Sequence, residues 1–442
     1  MRLTVAFAFV LLALSLSLPA ASGAGRLVIV GGALSDAQED VFDALLASAS
    51  ERAGLKAVII SAASSKPTHY GEAFRQQVIR RGLLPENVRL LPLAVVDDRS
   101  TPDVDESEWL ENRDHPEVIE GIENADLVWF TGGDQSRIIR VIGQPEAPSA
   151  TLEALRALLE RGGTIGGTSA GAAIMSRVML VGGSSQGALF RGPAPSDEVD
   201  QEDGGLLLGK GLGFFPYGTI DQHFDAKARL GRLVLAVQLA DPERRPAFGI
   251  DENTALVVDL GRARAEVAGA GGVVRVSFDD ASFQSGGDAS APPYRFEGLR
   301  LDRLGAGDRI DLTSGEIAPA SDKAPTRGRE YYAIERPLVS GVLSAYGSLD
   351  ALLSVLLVDN RSAERATSYL LPAEDGYGYR LLFSKTDATA GYWTYREGQE
   401  DHYTAQGVRL DIEPVDFSIE ACASGDQPIA QPAGSSAPAQ PR

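Results

Sequence analysis

The chain carries, at residues 164–175, the sequence TIGGTSAGAAIM, in which an apolar strand pattern runs into a helical pattern across a serine flanked by small residues. The segment from Gly167 to Gly171 fits the pattern G-x-S-x-G. In such an elbow the strand turns sharply into the helix, and the small neighbours permit a strained turn that exposes the serine hydroxyl. The pattern by itself is common. Its position between a strand and a helix predicts that Ser169 is a nucleophile.

Short apolar runs alternate with helical patterns on the N-terminal side of this elbow. Strands are predicted over residues 27–30, 57–60, 88–96 and 127–130, and helices over 36–50, 70–81 and 151–161. Wholly apolar strands that alternate with helices are typical of a parallel sheet covered by helices on both faces. Gly31-Gly32, Gly132-Gly133 and the elbow each follow a strand. These three loops are therefore expected at the carboxyl edge of the sheet, where sites in such sheets lie.

The pattern changes after about Asp259 to shorter, glycine-punctuated β-like segments, with one helical stretch predicted over 338–357. The tail is rich in Pro, Ala, Gly, Ser and Gln, a composition typical of disorder. We therefore divide the chain into a signal peptide, a catalytic α/β domain, a β-rich α+β accessory region and a disordered tail, at residues 1–24, 26–280, 281–420 and 421–442.

The N-terminus has the composition of a secretory signal peptide. Arg2 precedes an apolar run over residues 5–18, and small residues follow over 19–24. The run is short for a membrane span. An uncleaved anchor is the alternative interpretation. The expectation is a secreted protein, periplasmic or extracellular, without membrane attachment after cleavage.

The net charge and the residue counts argue against some kinds of partner and cofactor. The net charge of −20 argues against a nucleic-acid partner, because phosphate backbones require a basic surface. Acidic segments at 97–123 and 197–203 are either solvated loops or a rim that attracts a cationic substrate. Cys422 is the single cysteine, and neither an EF-hand spacing nor G-x-G-x-x-G is present. We therefore predict no metal and no cofactor.

A serine nucleophile requires a base, and the chain has four histidines. His223 follows a predicted strand at 218–220 and precedes a helix, which makes it the first candidate. His69, near the start of a helix, is the second. His115, in an acidic loop, and His402, in the β-rich region, are less suited.

A carboxylate that orients the imidazole completes a triad. Asp251 and Glu252 lie between apolar flanks in a segment that we interpret as extended, so their side chains point to opposite faces and only one can be the partner. The residues themselves leave that choice open. The Ala170 N–H follows the nucleophile and can serve an oxyanion hole, to which Gly133 can add a second N–H. Gln135 is placed to bind substrate.

Four motifs, at residues 130–135, 167–172, 221–224 and 249–255, together resemble the cyanophycinase branch of the S51 serine peptidases. The resemblance covers about residues 26–280. It implies a flavodoxin-like fold related to class I glutamine amidotransferase domains, a triad of Ser169, His223 and Glu252, and a homodimer. Family members cleave cyanophycin, a polyaspartate whose β-carboxyls carry arginine, and release β-aspartyl-arginine dipeptides.

The resemblance also implies a set of substrate-binding residues, namely Gln135, Gln222, Lys227, Arg229 and Arg232. Members typically carry two arginines two residues apart after the His-Phe pair, but here Lys227 occupies the first position. Lysine cannot bind a carboxylate bidentately as arginine does. Three hypotheses follow: a secreted exopeptidase acting on this arginine-rich polymer, a dipeptidase acting on short aspartyl or isoaspartyl peptides, and a non-catalytic envelope binding protein.

Overall fold

The structure, a computed structural model, describes residues 25–47, 52–195, 204–288, 291–343, 347–371, 376–396 and 401–418. The segments predicted to be a signal peptide and a disordered tail, and the acidic segment 197–203, lie outside these residues. Among the helices that the structure describes, none is long and apolar enough to cross a bilayer.

The predicted parallel sheet is the centre of the first of two large sheets. Its nine strands are β1 Arg26–Val30, β2 Ala57–Ile60, β3 Val88–Leu90, β4 Leu127–Phe130, β7 Thr164–Thr168, β12 Thr254–Asp259, β13 Arg264–Gly269, β17 Arg309–Asp311 and β18 Ile317–Ala318. The spatial order is β18-β17-β13-β12-β1-β7-β4-β2-β3. The five strands from β1 to β3 in this order are parallel, and β12, β13, β17 and β18 extend the sheet by antiparallel pairing.

Helices cover both faces of the first sheet, which confirms the predicted fold class. Leu27 and Ile29 of β1 pack into one buried cluster, whereas Val28 and Val30 pack into another with helix residues on the opposite face. This alternation follows from the two-residue period of a strand. The helices of the molecule are α1 Glu39–Leu45, α2 Pro67–Arg80, α3 Pro116–Glu123, α4 Gln135–Ile142, α5 Ala150–Glu160, α6 Ala170–Ala173, α7 Ser185–Arg191, α8 Leu230–Ala240 and α9 Ser348–Leu353.

A second sheet has thirteen strands and is mostly antiparallel. They are β8 Val178–Gly182, β9 Leu207–Lys210, β10 Thr219–Gln222, β11 Ala247–Ile250, β14 Val273–Ser277, β15 Ser282–Gln284, β16 Arg295–Leu304, β19 Ala324–Pro325, β20 Leu338–Ser340, β21 Arg365–Leu370, β22 Gly376–Ser384, β23 Ala390–Tyr395 and β24 Asp401–Phe417. A two-stranded hairpin, β5 Gly143–Gln144 and β6 Ala147–Pro148, stands apart.

The second sheet joins the two parts of the chain that the sequence separates at residue 280. β14 lies before that residue and β16 after it, and the two strands pair over five residues from Val273–Leu304 to Ser277–Arg300. The long strand β24 then pairs with β16 and β22. The hydrogen-bonded sheet therefore continues across residue 280. The domain boundary that the sequence predicts there stays a prediction.

Some predicted elements are shorter or different in the structure. The helix expected over 36–50 is α1, which begins at Glu39, and the strand expected over 88–96 ends at Leu90. The helix expected over 338–357 was wrong in its first part, because residues 338–340 pair with β21 as strand β20. Strand pairing in the folded chain outweighed the local helical pattern there. Only residues 348–353 form an α-helix, followed by a π-helical turn at Ser354–Val358.

The acidic segment 97–123 is more than a solvated loop. Glu106 and Asp98 are fully buried. The Glu106 carboxylate accepts hydrogen bonds from the hydroxyls of Thr68 and Thr101 and from the Asp98 N–H. Asp98 in turn accepts the N–H of His69. These carboxylates hold the start of α2 in place, and buried charges are tolerated because they are hydrogen-bonded.

Candidate active site

The elbow forms the strained turn that the sequence predicts. Ser169 lies between β7 and α6 with φ of 54°, a conformation that a non-glycine residue adopts only when its surroundings impose it. The turn is crowded: a Cβ on Gly171 would lie 2.6 Å from the carbonyl oxygen of Phe130. The backbone N–H of Ser169 donates to Val30 O at 3.0 Å, which ties the nucleophile to the end of β1.

His223 reaches this serine from the second sheet. It follows β10 and has φ of 46°. Its backbone N–H donates to the carbonyl oxygen of Gly31 at 2.6 Å, a bond that joins the loops of the two sheets. The Nε2 atom of the imidazole lies 2.9 Å from Ser169 Oγ. A Cβ on Gly32 would come within 2.3 Å of the imidazole, so this position must be glycine for the ring to fit.

Glu252 occupies the turn by which the chain crosses between the sheets. β11 ends at Ile250 in the second sheet, and β12 begins at Thr254 in the first. Residues 251–253 form a turn rather than the extended segment that the sequence predicts. Glu252 Oε1 lies 2.6 Å from Nδ1 of His223, whereas the Asp251 carboxylate accepts the backbone N–H groups of Asp225 and Gly272 instead. The structure thus brings Ser169, His223 and Glu252 into one hydrogen-bonded chain.

The surroundings of His223 favour a neutral imidazole. Burial lowers the pKa of His223, and the positive charges of Arg229 and Lys227 lower it further, although the hydrogen bond and charge of Glu252 act in the opposite direction. A base must be unprotonated to accept the serine proton. The lowered pKa therefore keeps His223 ready to act as a base at neutral pH.

Asp251, which is half-buried, lies next to the candidate triad. Its two oxygens accept the N–H groups of Asp225 and Gly272 at 3.1 and 2.9 Å. Burial, together with the charge of Asp225, raises the pKa of Asp251 to about 7. Burial also raises the pKa of Asp225, which lies two residues after His223. Both carboxyls next to the loop of His223 therefore have raised pKa values.

Asp225 also connects this loop to the region after residue 280. Its carboxylate oxygens accept the backbone N–H groups of Leu349 and Asp350 at 3.2 and 3.1 Å, in the first turn of α9. The free N–H groups of a helix N-terminus require such acceptors. The C-terminal part of the chain thus contacts the loop that carries His223.

A cavity of about 540 Å³ opens onto the serine and the imidazole. Its walls include Tyr70, which is 53% exposed, and Phe74, whose ring stacks on Trp129 at 4.5 Å. Thr131 and Thr168 also line this cavity, and their buried hydroxyls have no hydrogen-bond partner among the described residues. Neither residue could be predicted from the sequence, because threonine at a strand end carries no specific signal.

The predicted oxyanion donors lie on either side of Ser169. Gly133 lines the cavity, and Ala170 begins α6 directly after the nucleophile. A Cβ on the adjacent Gly132 would lie 3.3 Å from Ser169 Cβ, which shows how closely this loop approaches the nucleophile. Within the described chain, no group of three or more His, Cys, Asp or Glu side chains is arranged to hold a metal ion.

The residues predicted to bind substrate are mostly engaged within the protein. The Gln135 amide donates to the carbonyl oxygens of Leu180 and Val181 at 2.9 and 2.8 Å and is 7% exposed. Gln222 is buried, and its Oε1 has no partner among the described residues. Lys227 is exposed next to the triad loop.

Arg229 and Arg232, which the resemblance implies bind substrate, form hydrogen bonds within the protein and do not line the cavity. Arg232, 3% exposed, binds both carboxylate oxygens of Asp221 at 2.8 and 2.6 Å. Arg229 donates to the carbonyl oxygen of Gln222 at 2.5 Å. A bidentate pair of this kind fixes the orientation of both side chains. Neither arginine lines the cavity at Ser169, so their binding of substrate stays a prediction.

The other histidines lie in structural settings. His115 accepts the N–H of Glu117 at the start of α3. His69 lies on α2 with its ring against Tyr70 at 5.0 Å. His402 lies on β24. The second-choice base, His69, thus makes no hydrogen bond with Ser169.

The chain is similar in sequence to proteins of one peptidase family. The model of peptidase family S51 matches residues 103–265. The chain is 34% identical over 203 residues to the cyanophycinase of Geminocystis herdmanii, which covers 46% of this chain and 66% of the relative. It is 30% identical over 269 residues to the cyanophycinase of Synechococcus elongatus, covering 60% and 72%.

The match to the first of these relatives spans just under two thirds of its length. A solved structure of a peptidase from an acI-B1 Actinobacterium is 21% identical, with a TM-score of 0.42, and covers 65% of this chain and 98% of that one. That likeness is too distant to argue from. The sequence match to the Synechococcus elongatus protein, which spans 72% of that relative, shows that the chain belongs to peptidase family S51.

Proposed function

We propose that the protein is a serine exopeptidase that hydrolyses cyanophycin, multi-L-arginyl-poly-L-aspartate, to β-aspartyl-arginine dipeptides. The observation that supports this most is the hydrogen-bonded chain from Ser169 Oγ through His223 to Glu252 at the mouth of a cavity. The names of the curated relatives supply the substrate class.

The proposed chemistry proceeds in two halves. Ser169 Oγ attacks the aspartyl backbone carbonyl while Nε2 of His223 accepts the hydroxyl proton. Glu252 holds the Nδ1–H and stabilises the imidazolium that forms. The N–H groups of Gly133 and Ala170 stabilise the oxyanion. His223 then returns the proton to the leaving amine, and the C–N bond breaks to leave an acyl-enzyme.

Water completes the reaction. His223 takes a proton from the water that attacks the acyl-enzyme carbonyl, and the proton returns to Ser169 Oγ as the ester bond breaks. The products are a carboxylic acid and the regenerated serine.

A dipeptidase acting on short aspartyl or isoaspartyl peptides is the second candidate. Two observations favour it: Lys227 replaces an arginine, and Arg232 is committed to Asp221. A site with fewer free guanidinium groups binds the arginyl carboxylates of the polymer less tightly. Both candidates use the same triad and differ only in the substrate.

To distinguish the two candidates, the wild-type protein and Ser169→Ala are incubated separately with insoluble cyanophycin and with Asp-X and isoaspartyl dipeptides. Release of β-aspartyl-arginine by the wild type alone supports the polymer hydrolase. Cleavage of the dipeptides without polymer release supports the second candidate. A folded wild-type protein that cleaves neither, and that a serine-reactive phosphonate does not label at Ser169, would instead be a non-catalytic binding protein.

We also propose that the protein is exported, as the N-terminal 24 residues indicate. Expression of the full chain, followed by N-terminal sequencing of the protein found outside the cytoplasm, tests this. A mature N-terminus near residue 24 is expected, and an unprocessed cytoplasmic protein would contradict it. The proposed homodimer is tested on the same material by light scattering, where the mass of one chain would contradict it.

A further inference from the structure

A second cavity, of about 480 Å³, lies in the C-terminal half of the molecule. Its walls are mainly aromatic and acidic. We call it the aromatic cleft and define it by Tyr331, Tyr332, Asp359, Trp393, Asp401 and Tyr403. It shares no lining residue with the cavity at Ser169. None of its residues lies within the segment that matches the family model.

Strand pairing builds one wall of the aromatic cleft. Trp393 of β23 lies directly opposite Tyr403 of β24 in an antiparallel ladder, so both side chains project from the same face. Asp401 precedes Tyr403 by two residues on a regular part of the strand and therefore shares that face. A tryptophan, a tyrosine and a carboxylate thus line one side of the cavity.

The opposite wall is a loop that Asp359 fixes in place. The Asp359 carboxylate accepts the backbone N–H of Tyr331 at 2.8 Å and the hydroxyl of Tyr403 at 2.9 Å. The carbonyl oxygen of Asp359 accepts the N–H of Tyr332 at 3.0 Å. The rings of Tyr331 and Tyr332 meet edge to face at 5.1 Å. The cleft is therefore built by hydrogen bonds between its two walls and exists before any ligand binds.

The aromatic faces of this cleft are unusually open to solvent. Tyr331 is 80% exposed and Trp393 is 38% exposed, whereas Tyr403 is buried. Clusters of exposed large aromatic side chains mark binding surfaces. The local field is negative: burial raises the pKa of Tyr332, and the charges of Asp401 and Asp359 raise it further. Burial and Asp359 raise the pKa of Tyr403 in the same way.

A flat cation is the ligand that this combination recognises best. A guanidinium group stacks on tryptophan and tyrosine faces and is attracted by their negative quadrupole. Its edge N–H groups donate to a carboxylate, and Asp401 is exposed at the cleft. One basic residue, Arg329, also lines the cavity and opposes a cation there. The two carboxylates of Asp359 and Asp401 exceed this single positive charge.

We propose that the aromatic cleft is a second binding site, specific for guanidinium groups, that takes the arginyl side chains of the substrate. The choice of arginyl polymer rests on the proposed function, whereas the choice of a guanidinium ligand rests on the cleft alone. A polymer with one arginine on every aspartate presents many copies of this ligand. Two separate sites on one protein then raise the effective substrate concentration at the catalytic cavity.

The first test measures binding without hydrolysis. It uses the full-length Ser169→Ala protein, with Nα-acetyl-arginine methylamide and its neutral isostere Nα-acetyl-citrulline methylamide as probes, by calorimetry. The arginine probe is expected to bind at least about tenfold more tightly than the citrulline probe, because the two differ only in the charged group. Equal affinity for both probes, or tighter binding of a neutral oligosaccharide, would overturn the proposal.

Variants assign that binding to the aromatic cleft. In the Ser169→Ala protein, Trp393→Ala and Asp401→Asn should each weaken binding of the arginine probe roughly fivefold or more. Arg329→Gln should strengthen that binding. Matched controls are Tyr392→Ala, a tyrosine that precedes Trp393 on the same strand and so lies on the opposite face, outside the cleft lining, and Glu364→Gln, an exposed acid. Affinity unchanged by Trp393→Ala and Asp401→Asn in folded protein would place the ligand elsewhere and overturn the proposal.

The second test separates this proposal from the proposed function. With an intact Ser169, Trp393→Ala should hydrolyse a short soluble substrate fragment at the wild-type kcat/KM but show a raised KM on insoluble polymer. If the arginine probe binds the cleft but the wild type cleaves no polymer, the proposed function is wrong and the proposed guanidinium site is retained. If the wild type cleaves polymer and Trp393→Ala does so at the same KM, the cleft proposal fails alone.

Discussion

The two sheets of the molecule divide the candidate triad between them. The first supplies Ser169 from the end of a buried parallel strand, and the second supplies His223 from the end of β10. Glu252 lies in the turn that connects one sheet to the other. The 2.9 Å contact between Ser169 Oγ and His223 Nε2 is therefore a contact between sheets. The site depends on the packing of the two sheets rather than on either sheet alone.

The sheets also differ in which part of the chain builds them. Seven of the nine strands of the first sheet come from the segment that resembles the family, whereas eight of the thirteen strands of the second, β15, β16 and β19 to β24, come after residue 280. The region that the sequence analysis treats as an accessory is thus hydrogen-bonded into the sheet that carries His223. It contributes to the scaffold of the site, as the contact of Asp225 with α9 illustrates.

The largest expected effect tests whether the two sheets act as one catalytic unit. Ser169→Ala and His223→Ala should each lower kcat by roughly four to six orders of magnitude, because a triad fails when either member is lost. The double variant should lose no more than the single ones. Rates are measured on the substrate established for the wild type, and losses that multiply in the double variant would contradict a shared unit.

The connection between the sheets is tested next. Glu252→Gln should lower kcat by about 10⁴-fold while leaving the fold intact, because the amide no longer stabilises the imidazolium or fixes its tautomer. The matched control is Glu243→Gln, a substitution at a glutamate whose side chain is 64% exposed on the surface. A Glu252→Gln protein with more than a tenth of wild-type kcat would remove Glu252 from the triad.

The contribution of the C-terminal region is expected to be smaller. Asp225→Ala removes the acceptor of the Leu349 and Asp350 N–H groups and should lower kcat roughly 10- to 100-fold with little change in KM, since it loosens the loop of His223. Asp225→Asn keeps one acceptor oxygen and should recover part of this loss. Faster hydrogen exchange at Leu349 and Asp350 is the accompanying readout. Wild-type kcat in Asp225→Ala would show that α9 does not position the loop.

The raised pKa of Asp251 should make the stability of the folded protein depend on pH. Its pKa of about 7 in the folded protein lies above the usual value of 3.8, so the unfolded chain ionises first as pH rises. The free energy of unfolding should therefore fall between about pH 4 and pH 7, by a few kcal/mol at most, and stay low above that range. Asp251→Asn should flatten this slope in urea melts taken at several pH values. An unchanged slope would assign the effect to other groups.

The smallest effect concerns the charge of Lys227. Burial lowers the pKa of His223, so the acid limb of kcat/KM should lie below the ordinary histidine value of 6.5, with activity rising as pH increases through that limb. Lys227→Gln removes one of the positive charges that lower this pKa and should shift the limb upward. The measurement is a pH profile of kcat/KM, and a shift to lower pH would contradict the electrostatic argument.

Much of the first sheet could be predicted from the sequence, because its order arises from local patterns. Wholly apolar strands such as residues 27–30 and 127–130 become buried parallel strands wherever helices alternate with them. The strained turn at Ser169 could also be predicted, because small residues at fixed spacing are typical of such a turn. These features depend on neighbours within about fifteen residues of chain.

The contacts between distant segments could not be predicted in this way. Local patterns left Asp251 and Glu252 equivalent, and only the three-residue turn between β11 and β12 directs Glu252 to the imidazole. The predicted substrate role of Arg232 followed from resemblance alone, whereas the structure shows it bound to Asp221. Nothing near Asp225 in the sequence signals that α9, more than a hundred residues away, donates to it.

Local patterns in the sequence are enough to predict the class of the fold, the candidate nucleophile and a short set of partners for it, because strand periodicity and turn chemistry are properties of adjacent residues. Only the folded chain shows that the candidate triad spans two sheets, that the C-terminal region contacts the loop of its histidine, and that an aromatic cleft stands apart from it. Side chains far apart in the chain meet only when strands pair, and that pairing is set by the global packing of the apolar core.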